Sequence, residues 1–393
     1  MIPHLLRWLA CPECGAAFDL RPFRSPGVGS DAVEEGVLVC RACRSPYPVT
    51  GGIPRLLPNA WERHRAFRAE FAADLGRLDL APPPRGRIQR FERLHRLTAR
   101  AFGYEWNTYR TTSREEDIVT FFWLTGVDLD VYEKLPVTDV FTFYPTEADV
   151  QKLDGSRLAG ATVLDVGCGM GKYLAVVSEY AKEVIGLDLS DALLRARRVT
   201  ANRQNIHLVQ GDILAPPLVR DRVDFVYSVG VLHHTPDAHA AFLRAASLVK
   251  PGGALAVWLY PTELNTSPYA TWVHRIQDDW LRPVACRLPP RALHAVAGLF
   301  GRLTFVRDRC AERHAATGSR LAYYAAMAAG AVAVGRHKDP EIAAFLNFDW
   351  YSPQYRTYHS EEQLRSWYRE AGFRSPRILP QRVSAIGTRS GSE

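Results

Sequence analysis

A glycine-rich turn between a strand-like run and a helix constrains the fold of this chain more than any other feature. The segment Val163–Tyr173 reads VLDVGCGMGKY, in which β-forming residues end at Asp165 and three alternating glycines turn the chain into a helix. Glycine tolerates positive φ angles and has no Cβ, so a ligand can lie directly against the backbone. Asp188 ends the next strand-like run, where a carboxylate can bind both hydroxyls of a ribose. The pattern predicts an α/β fold that binds a nucleotide-like cofactor.

The glycine spacing and the segments that follow narrow the choice of cofactor. The glycines follow G-x-G-x-G rather than G-x-G-x-x-G, which disfavours NAD and FAD. A cofactor without a pyrophosphate does not need a phosphate-binding helix N-terminus. Further strand-like segments follow at His207–Asp212, Asp224–Gly230 and Ala254–Tyr260. Strands that alternate with helices predict a parallel sheet covered on both faces.

With this set of segments, the chain resembles the class I S-adenosylmethionine (SAM) dependent methyltransferases over roughly residues 102–260 and a C-terminal hairpin. The resemblance implies a Rossmann-like, seven-stranded α/β sheet, SAM as the cofactor and methyl transfer as the activity. It also implies a cofactor site in which Asp165, Gly167 and Gly169 line the methionine part of SAM. Asp188 would hold the ribose, and Asp212 and Ile213 would flank the adenine. Leu189 and Val229, beside these strand ends, complete the predicted set.

An aromatic motif precedes the predicted core. Residues 102–106 read FGYEW and resemble a segment whose aromatic residues fold over SAM in a subset of the family. The resemblance adds Tyr104 and Trp106 to the predicted cofactor contacts. A hydrophobic clamp of Phe102 and Trp106 against the core is an equally good interpretation.

Four of the seven cysteines form two C-x-x-C knuckles, namely Cys11 with Cys14 and Cys40 with Cys43. Four thiolates at this spacing are typical of a closed, structural Zn²⁺ site, and free thiols are the weaker alternative. The surrounding sequence resembles the zinc ribbon of the small activator subunit that partners tRNA and release-factor methyltransferases, here fused to its enzyme. We expect loss of zinc to unfold this ribbon and leave the sheet folded.

The chain of 393 residues is long enough for several units. About a hundred residues, mostly helical in pattern, follow Tyr260 in place of a short connection, and they should lie over the carboxyl ends of the strands. A return helix, Glu361–Ala371, and a terminal hairpin then complete the sheet with one antiparallel strand. We therefore predict five parts: a zinc ribbon (1–58), a helical cap (59–150), a SAM-binding core (151–262), a helical substrate-lid insertion (263–359) and a return helix with a hairpin (360–393).

Methyl transfer to a hydroxyl needs a general base as well as positioning. Three places could supply it: the pair His233 and His234, Tyr260 at the end of the fifth strand, and the aromatic-rich segment Asp349–His359. His359 is the first choice for the base, with His233 and Tyr260 as the other catalytic candidates. Simple packing is the alternative interpretation for each of them.

These features favour O-methylation of a small molecule, typically a natural-product or cell-envelope intermediate. An RNA or protein methyltransferase is the second hypothesis, and a non-catalytic SAM-binding scaffold is the third. The formal charge of +7 and a row of arginines at helical spacing could serve RNA, although a solvated helix face explains the row better: Arg87, Arg90, Arg93, Arg96 and Arg100. Ser228–Val231 replaces the Asn/Asp-Pro-Pro-aromatic tetrapeptide that binds nucleobase amines, which disfavours that acceptor.

The sequence predicts no secretion signal and no membrane span. The longest apolar run, Leu321–Gly335, has fifteen residues, short of the roughly 20 that a bilayer requires. We therefore expect a cytoplasmic protein whose partner is a small-molecule methyl acceptor, with nucleic acid less favoured. The sequence does not indicate the oligomeric state.

Overall fold

The computed structural model describes residues 1–27, 31–109, 113–128, 130–135, 137, 143, 145–262, 267–334 and 339–391. The strands are β1 (Phe18–Arg24), β2 (Glu35–Cys40), β3 (Pro46–Thr50), β4 (Ile53–Pro54), β5 (Thr162–Val166), β6 (Glu183–Asp188), β7 (Ile206–Gln210), β8 (Val223–Val229), β9 (Val249–Trp258), β10 (Phe373–Ile378) and β11 (Ser384–Arg389). The helices before β9 are α1 (Ala60–Arg63), α2 (Arg65–Glu70), α3 (Ala72–Leu75), α4 (Arg85–Thr108), α5 (Arg114–Thr125), α6 (Val131–Lys134), α7 (Glu147–Val150), α8 (Lys172–Val177), α9 (Leu193–Val199) and α10 (Ala238–Ala246).

The helices after β9 are α11 (Pro268–Arg275), α12 (Arg282–Ala285), α13 (Pro290–Thr317), α14 (Arg320–Gly330), α15 (Pro340–Tyr351) and α16 (Glu361–Glu370). A π-helical segment, Ile276–Leu281, joins α11 to α12, and short 3₁₀ turns occur at Pro3–Trp8, Ser156–Leu158 and Leu232–His234. No helix within the described ranges has both the length and the apolar character that crossing a bilayer would take. The end of the apolar run, Gly335, and the predicted start of the insertion at residue 263 lie outside the described residues.

The central sheet has seven strands in the order β10-β11-β9-β8-β5-β6-β7. The strands from β5 to β9 pair in parallel, and β11 pairs antiparallel to both β9 and β10. The predicted seven-stranded sheet with one antiparallel strand is therefore confirmed. Because the chain winds from β5 to β7 on one side and from β8 to β9 on the other, the crevice lies at the carboxyl ends of β5 and β8.

The N-terminal ribbon, built from β1 to β4, extends the fold beyond the β7 edge. The backbone N–H of Leu56 donates to Gln210 at 2.8 Å, and Ala10 N–H donates to Pro217 at 3.0 Å. Leu38 and Tyr47 of the ribbon belong to the same continuous cluster of buried side chains as the core residues of the seven-stranded sheet. The ribbon and the sheet therefore share one hydrophobic core.

A buried ion cluster reinforces this junction. The Glu183 carboxylate, at the start of β6, accepts from His4 Nε2 and Arg7 Nη2, both at 2.6 Å, and from Trp8 Nε1 at 3.2 Å. His207 Nε2 lies 3.1 Å from the same carboxylate. Burial alone would raise the Glu183 pKa, but the contacts with Arg7, His207 and His4 lower it. The carboxylate therefore ties the first turn of the ribbon to the sheet electrostatically.

The segment after β9 is helical, as expected, and packs over the carboxyl ends of the strands. Helices α13 and α15 cross closely at Gly301, where a Cβ would lie 2.9 Å from the Ala344 backbone nitrogen. The side chain of Asn347 exchanges hydrogen bonds with the Val334 backbone at 2.9 and 3.0 Å, which fixes the segment after α14 against α15. The five-part division of the chain follows this order of elements, and we retain its boundaries as a proposal.

Candidate active site

A cavity of about 1010 Å³ opens at the carboxyl ends of β5, β6, β8 and β9, between α4 and the inserted helices. The predicted cofactor residues that line it are Trp106, Asp165, Gly167, Gly169, Asp188, Leu189, Asp212, Ile213 and Val229. Tyr104 does not line it. The Tyr104 ring packs against Phe348 and His294 of the insertion, with centroids 5.6 and 6.0 Å away.

The loop Gly167–Gly171 forms the floor of the cavity. Its backbone lies so close to neighbouring side chains that there is little room for a side chain of its own. Gly167 has φ +84°, and a Cβ there would lie 2.4 Å from Val231. Gly169 has φ +52°, and its Cβ would lie 3.3 Å from the Trp106 indole. Trp106 therefore covers the loop, and the positive φ angle together with this close approach favours glycine at position 169.

Asp188 fixes the loop and faces the cavity at the same time. One carboxylate oxygen accepts from the Gly169 N–H at 2.8 Å, and the other accepts from the Ser190 N–H and hydroxyl, both at 2.7 Å. Burial raises the Asp188 pKa, and these hydrogen bonds oppose the rise. A carboxylate has about four lone-pair sites, so the remaining capacity can accept ribose hydroxyls.

Asp165 lies at the methionine end of the predicted site. Its side chain is buried and accepts from the Tyr227 hydroxyl at 2.8 Å. Burial raises the pKa of Asp165 to about 8, despite that hydrogen bond, and the nearby Asp188 adds to the rise. A cationic group beside Asp165 would offset its desolvation, which fits the ammonium group of SAM.

His95 is a site residue that sequence reasoning missed. Its Nε2 lies 3.1 Å from an Asp212 carboxylate oxygen, and Leu214 N–H donates to the other oxygen at 2.9 Å. The sequence predicts an apolar α4 face through Phe91 and Leu94, yet His95 and Thr98 are among the most buried residues of the helix and line the cavity. The position of His95 and Thr98 on the apolar face of an amphipathic helix was the sequence signal that could have identified them as site residues.

The predicted catalytic residues lie close to one another, but only one of the three lines the cavity. Tyr260 lines the cavity, and its hydroxyl donates to Asp349 at 3.4 Å. His233 and His359 do not line the cavity. The fully buried His233 ring stacks on Tyr260 with centroids 3.9 Å apart, whereas the His359 ring packs against Trp367 and its Nε2 lies 2.8 Å from the Thr357 hydroxyl.

The backbone explains why His359, our first choice of base, lies outside the cavity. His359 N–H donates to the Tyr260 carbonyl at 2.8 Å, so this segment runs beside the end of β9 and directs the ring towards α16. Burial lowers the pKa of His359 and of His233. His234 does line the cavity, but burial lowers its pKa to about 3, and its Nδ1 lies 2.9 Å from the Tyr355 carbonyl oxygen.

The four knuckle cysteines meet at one point of the ribbon. Their Sγ atoms all lie within 4.8 Å of one another, with Cys11 and Cys43 at 3.7 Å and Cys14 and Cys40 at 3.4 Å. Tetrahedral Zn–S bonds of about 2.3 Å place sulfur atoms about 3.8 Å apart. The cluster therefore has the dimensions of a structural Zn²⁺ site.

Comparisons with known proteins agree with both parts of this arrangement. A family model described as a methyltransferase domain matches residues 164–257, and one described as Trm112p-like protein matches residues 3–52. A ubiquinone biosynthesis O-methyltransferase of Bordetella avium is 30% identical over 149 residues, which cover 37% of this chain and 58% of the relative. An uncharacterized methyltransferase of Mycobacterium bovis is 32% identical over 141 residues, which cover 34% of this chain and 72% of the relative.

Two solved structures are also similar. A SAM-dependent methyltransferase from Mesorhizobium loti is 29% identical over 26% of this chain and 51% of its own, with a TM-score of 0.25. A complex of the Haloferax volcanii Trm112 methyltransferase activator with a methyltransferase is 15% identical over 60% of this chain and 84% of its own, with a TM-score of 0.35. The matched relatives, the matched family models and the seven-stranded sheet show that this chain belongs to the class I SAM-dependent methyltransferases and carries a Trm112p-like zinc-ribbon region.

Proposed function

We propose that this enzyme methylates a hydroxyl group of a small molecule whose body is largely apolar. The observation that carries the proposal is the continuity of the cavity. It runs without interruption from Asp188 and Gly169 to Ile342 and Leu346 of the insertion. Its volume of about 1010 Å³ is at the upper end of the range for small-molecule sites, which suits a cofactor and an acceptor together.

The wall that the insertion contributes indicates the character of the acceptor. It is mainly apolar, with Val273, Ala333, Val334, Ile342, Phe345 and Leu346. His274, Gln277, Arg307 and Asp349 add a few polar or charged groups to it, and Tyr260 lies beside them at the end of the core. A mostly apolar wall with few polar groups favours an acceptor that buries an apolar body and presents one or two hydroxyls. Natural-product and cell-envelope intermediates have this chemistry, and the ubiquinone biosynthesis O-methyltransferases among the relatives support transfer to oxygen.

RNA and protein are the alternative acceptors. The row of arginines on α4 is exposed, but two of its members are engaged within the chain. Arg87 pairs with Glu13 of the ribbon, and Arg100 donates to the Leu288 carbonyl at 3.0 Å. This leaves Arg90, Arg93 and Arg96 as an exposed row on the helix. Three arginines in one row make a short electrostatic footprint for a nucleic acid.

We further propose that Cys11, Cys14, Cys40 and Cys43 hold a structural Zn²⁺ and that the protein works in the cytoplasm. The compact thiol cluster supports the first proposal. In the SAM site, Asp188 would hold the ribose, Asp165 would face the ammonium group, and Asp212 would lie beside the adenine. Bound SAM supplies an activated methyl group, so the chain chiefly positions the acceptor and takes its proton.

The experiment is a comparison of acceptors with the full chain. SAM binding is measured by calorimetry, and formation of S-adenosylhomocysteine is then followed with catechol, hydroxyquinols, hydroxylated lipids, amines, tRNA and a protein mixture. We expect product only with hydroxyl acceptors. Product with tRNA alone, and binding that weakens with salt at a slope of about −0.7 per phosphate, would favour the RNA alternative. SAM binding with no product from any acceptor would favour the scaffold hypothesis.

A further inference from the structure

A half-buried carboxyl group in the cavity wall, on α15, lies beside a fully buried one on α4. Asp349, near the end of α15, lines the cavity. Glu105, on α4, is fully buried and lies next to Asp349, whose charge raises the pKa of Glu105. Ser352 supports the pair, since its hydroxyl donates to Glu105 Oε2 at 3.5 Å. The pair therefore joins the helix that covers the glycine loop to the insertion.

The two groups share one proton, because adjacent buried carboxylates cannot both be ionised. Burial raises the pKa of both groups, and the neighbouring Asp349 raises that of Glu105 further. The nearby Arg356 opposes the rise at Asp349. Asp349 accepts from the Tyr260 hydroxyl and faces the cavity, so it is the better placed of the two to carry the negative charge.

The surrounding charged groups leave Asp349 available. Arg356 stacks on the Trp350 ring at 3.9 Å, donates to the Trp350 carbonyl at 2.7 Å and pairs with Asp278. Tyr358 also donates to Asp278, at 2.9 Å. Arg356 therefore pairs with Asp278 rather than with Asp349.

The Tyr260 hydroxyl reaches Asp349 from the other side, at the end of β9. Its 3.4 Å contact is long for an O–H···O hydrogen bond and can be exchanged for an acceptor hydroxyl. The neighbouring His234, also at the cavity wall, adds no charge because burial lowers its pKa to about 3.

We propose that Asp349, with Glu105 behind it, is the general base of the methyl transfer. This inference rests on the proposed transfer to a hydroxyl group. The acceptor oxygen forms a bond to the methyl carbon while the methyl–sulfur bond breaks, and the hydroxyl proton passes to the Asp349 carboxylate. The positive charge of the sulfonium and the negative charge of Asp349 are lost together, and the products are the methyl ether and neutral S-adenosylhomocysteine. Release of the proton to water restores the pair.

The first test detects the shared proton without any acceptor. An infrared pH titration of the full chain with S-adenosylhomocysteine should show a protonated-carboxyl band that persists to neutral pH. Glu105→Gln should remove it, and Asp349→Asn should shift its loss to lower pH, because burial alone still raises the pKa of Glu105. Glu341→Gln, at an exposed carboxyl on α15, should leave it unchanged. A wild-type spectrum without this band would overturn the proposal.

The second test measures transfer to catechol by the same variants. Asp349→Asn should lower kcat by about 100-fold or more and leave the affinity for SAM unchanged. Glu105→Gln should move the pH dependence of kcat, because Asp349 then lacks its proton-sharing partner, and Glu341→Gln should match wild type. Asp349→Asn activity within threefold of wild type, with an unchanged pH profile, would refute Asp349 as the base. If wild type methylates no hydroxyl acceptor, the proposed function fails, and the infrared titration alone decides the carboxyl pair.

Discussion

At the residue scale, the candidate cofactor site contains three carboxyl groups, and each lies in a different environment. Asp188 receives hydrogen bonds from the protein on both oxygens, Asp165 is buried against Tyr227, and Asp212 lies beside His95. Each of these groups sits at or just after the carboxyl end of a parallel strand. The shared sheet edge therefore brings together charges that are far apart in the sequence.

We expect Asp188→Asn to weaken SAM binding by about 10- to 100-fold, because one charge-assisted hydrogen bond contributes about 1.5–3 kcal/mol. The substitution also replaces the acceptor of the Gly169 N–H, so the loop becomes less rigid. Calorimetry with SAM measures the affinity, and circular dichroism checks the fold. Asp191→Asn, an exposed carboxylate three residues away, is the control. Equal affinities in the two variants would contradict the assignment of Asp188.

We expect SAM affinity to rise with pH until about 8, where Asp165 ionises in the ligand-free protein. A carboxylate binds the ammonium group better than a neutral acid does, so binding below this pH releases a proton. The affinity should rise by up to about tenfold per pH unit in this range. Calorimetry in buffers of different ionisation enthalpy measures the released proton. Asp165→Asn should abolish both effects, and a pH-independent affinity in wild type would exclude this role.

Residues carried by the glycine motif were predictable from the sequence, whereas residues on helices outside it were not. Asp165 and Gly167 line the cavity because a strand–turn–helix fixes their positions locally, and Asp188 lines it because β6 pairs in parallel beside β5. Glu105 and Asp349 meet only because α4 and α15 pack against each other, and no local pattern specifies that contact. His359 looked suitable because aromatic residues surround it, but its direction depends on a backbone hydrogen bond to Tyr260.

At the element scale, the loop between β5 and α8 requires a left-handed backbone conformation and no side chain at Gly167, and Gly160, just before β5, allows a comparison. Gly160 and Gly167 both have positive φ angles, +74° and +84°. A Cβ at Gly160 would meet nothing within 4 Å, whereas one at Gly167 would lie 2.4 Å from Val231. The two positions therefore separate the cost of the backbone conformation from the cost of the contact.

We expect Gly160→Ala to lower the free energy of unfolding by about 1 kcal/mol and to leave SAM affinity unchanged. Gly167→Ala should cost more, because Val231 must move, and should weaken SAM binding at least about tenfold since the cavity floor shifts. Denaturant unfolding and calorimetry measure the two quantities. If the two variants behave alike, the contact with Val231 has no role.

The order and direction of the core strands can be predicted from their alternation with helices. The residues at which each strand begins and ends cannot. The fifth strand of the core was predicted from Ala254, yet β9 starts at Val249, because Val249 pairs with Val223 before an irregularity in the register. The sequence between them contains a Pro-Gly-Gly run that is typical of a turn. That run keeps its turn character within the strand, since Gly252 has φ +77° and residues 250–253 have no partner in β8.

At the scale of the whole molecule, the ribbon and the sheet behave as one unit in packing. This differs from the sequence-based expectation of an independent ribbon. The reason is the continuous core that links Leu38 and Tyr47 to the sheet, together with the ion cluster around Glu183. Sequence patterns define each module separately, but they do not show which apolar face covers which.

We therefore expect removal of zinc to destabilise the entire chain. A strong chelator should lower the melting temperature of one cooperative transition by about 10 °C or more, and added Zn²⁺ should restore it. Scanning calorimetry measures the transition, and hydrogen exchange at β7 shows whether the sheet edge opens with the ribbon. Two separate transitions, with that of the sheet unaffected by the chelator, would restore the view of an independent ribbon.

The backbone link between Leu56 and Gln210 has a consequence for biosynthesis. The ribbon is synthesised first, but the strand edge that it protects emerges from the ribosome about 150 residues later. At roughly 5–20 residues per second, this gap lasts on the order of ten seconds. During that interval the apolar side of the nascent ribbon has no sheet to cover it, so a chaperone that shields it should raise the yield of active enzyme.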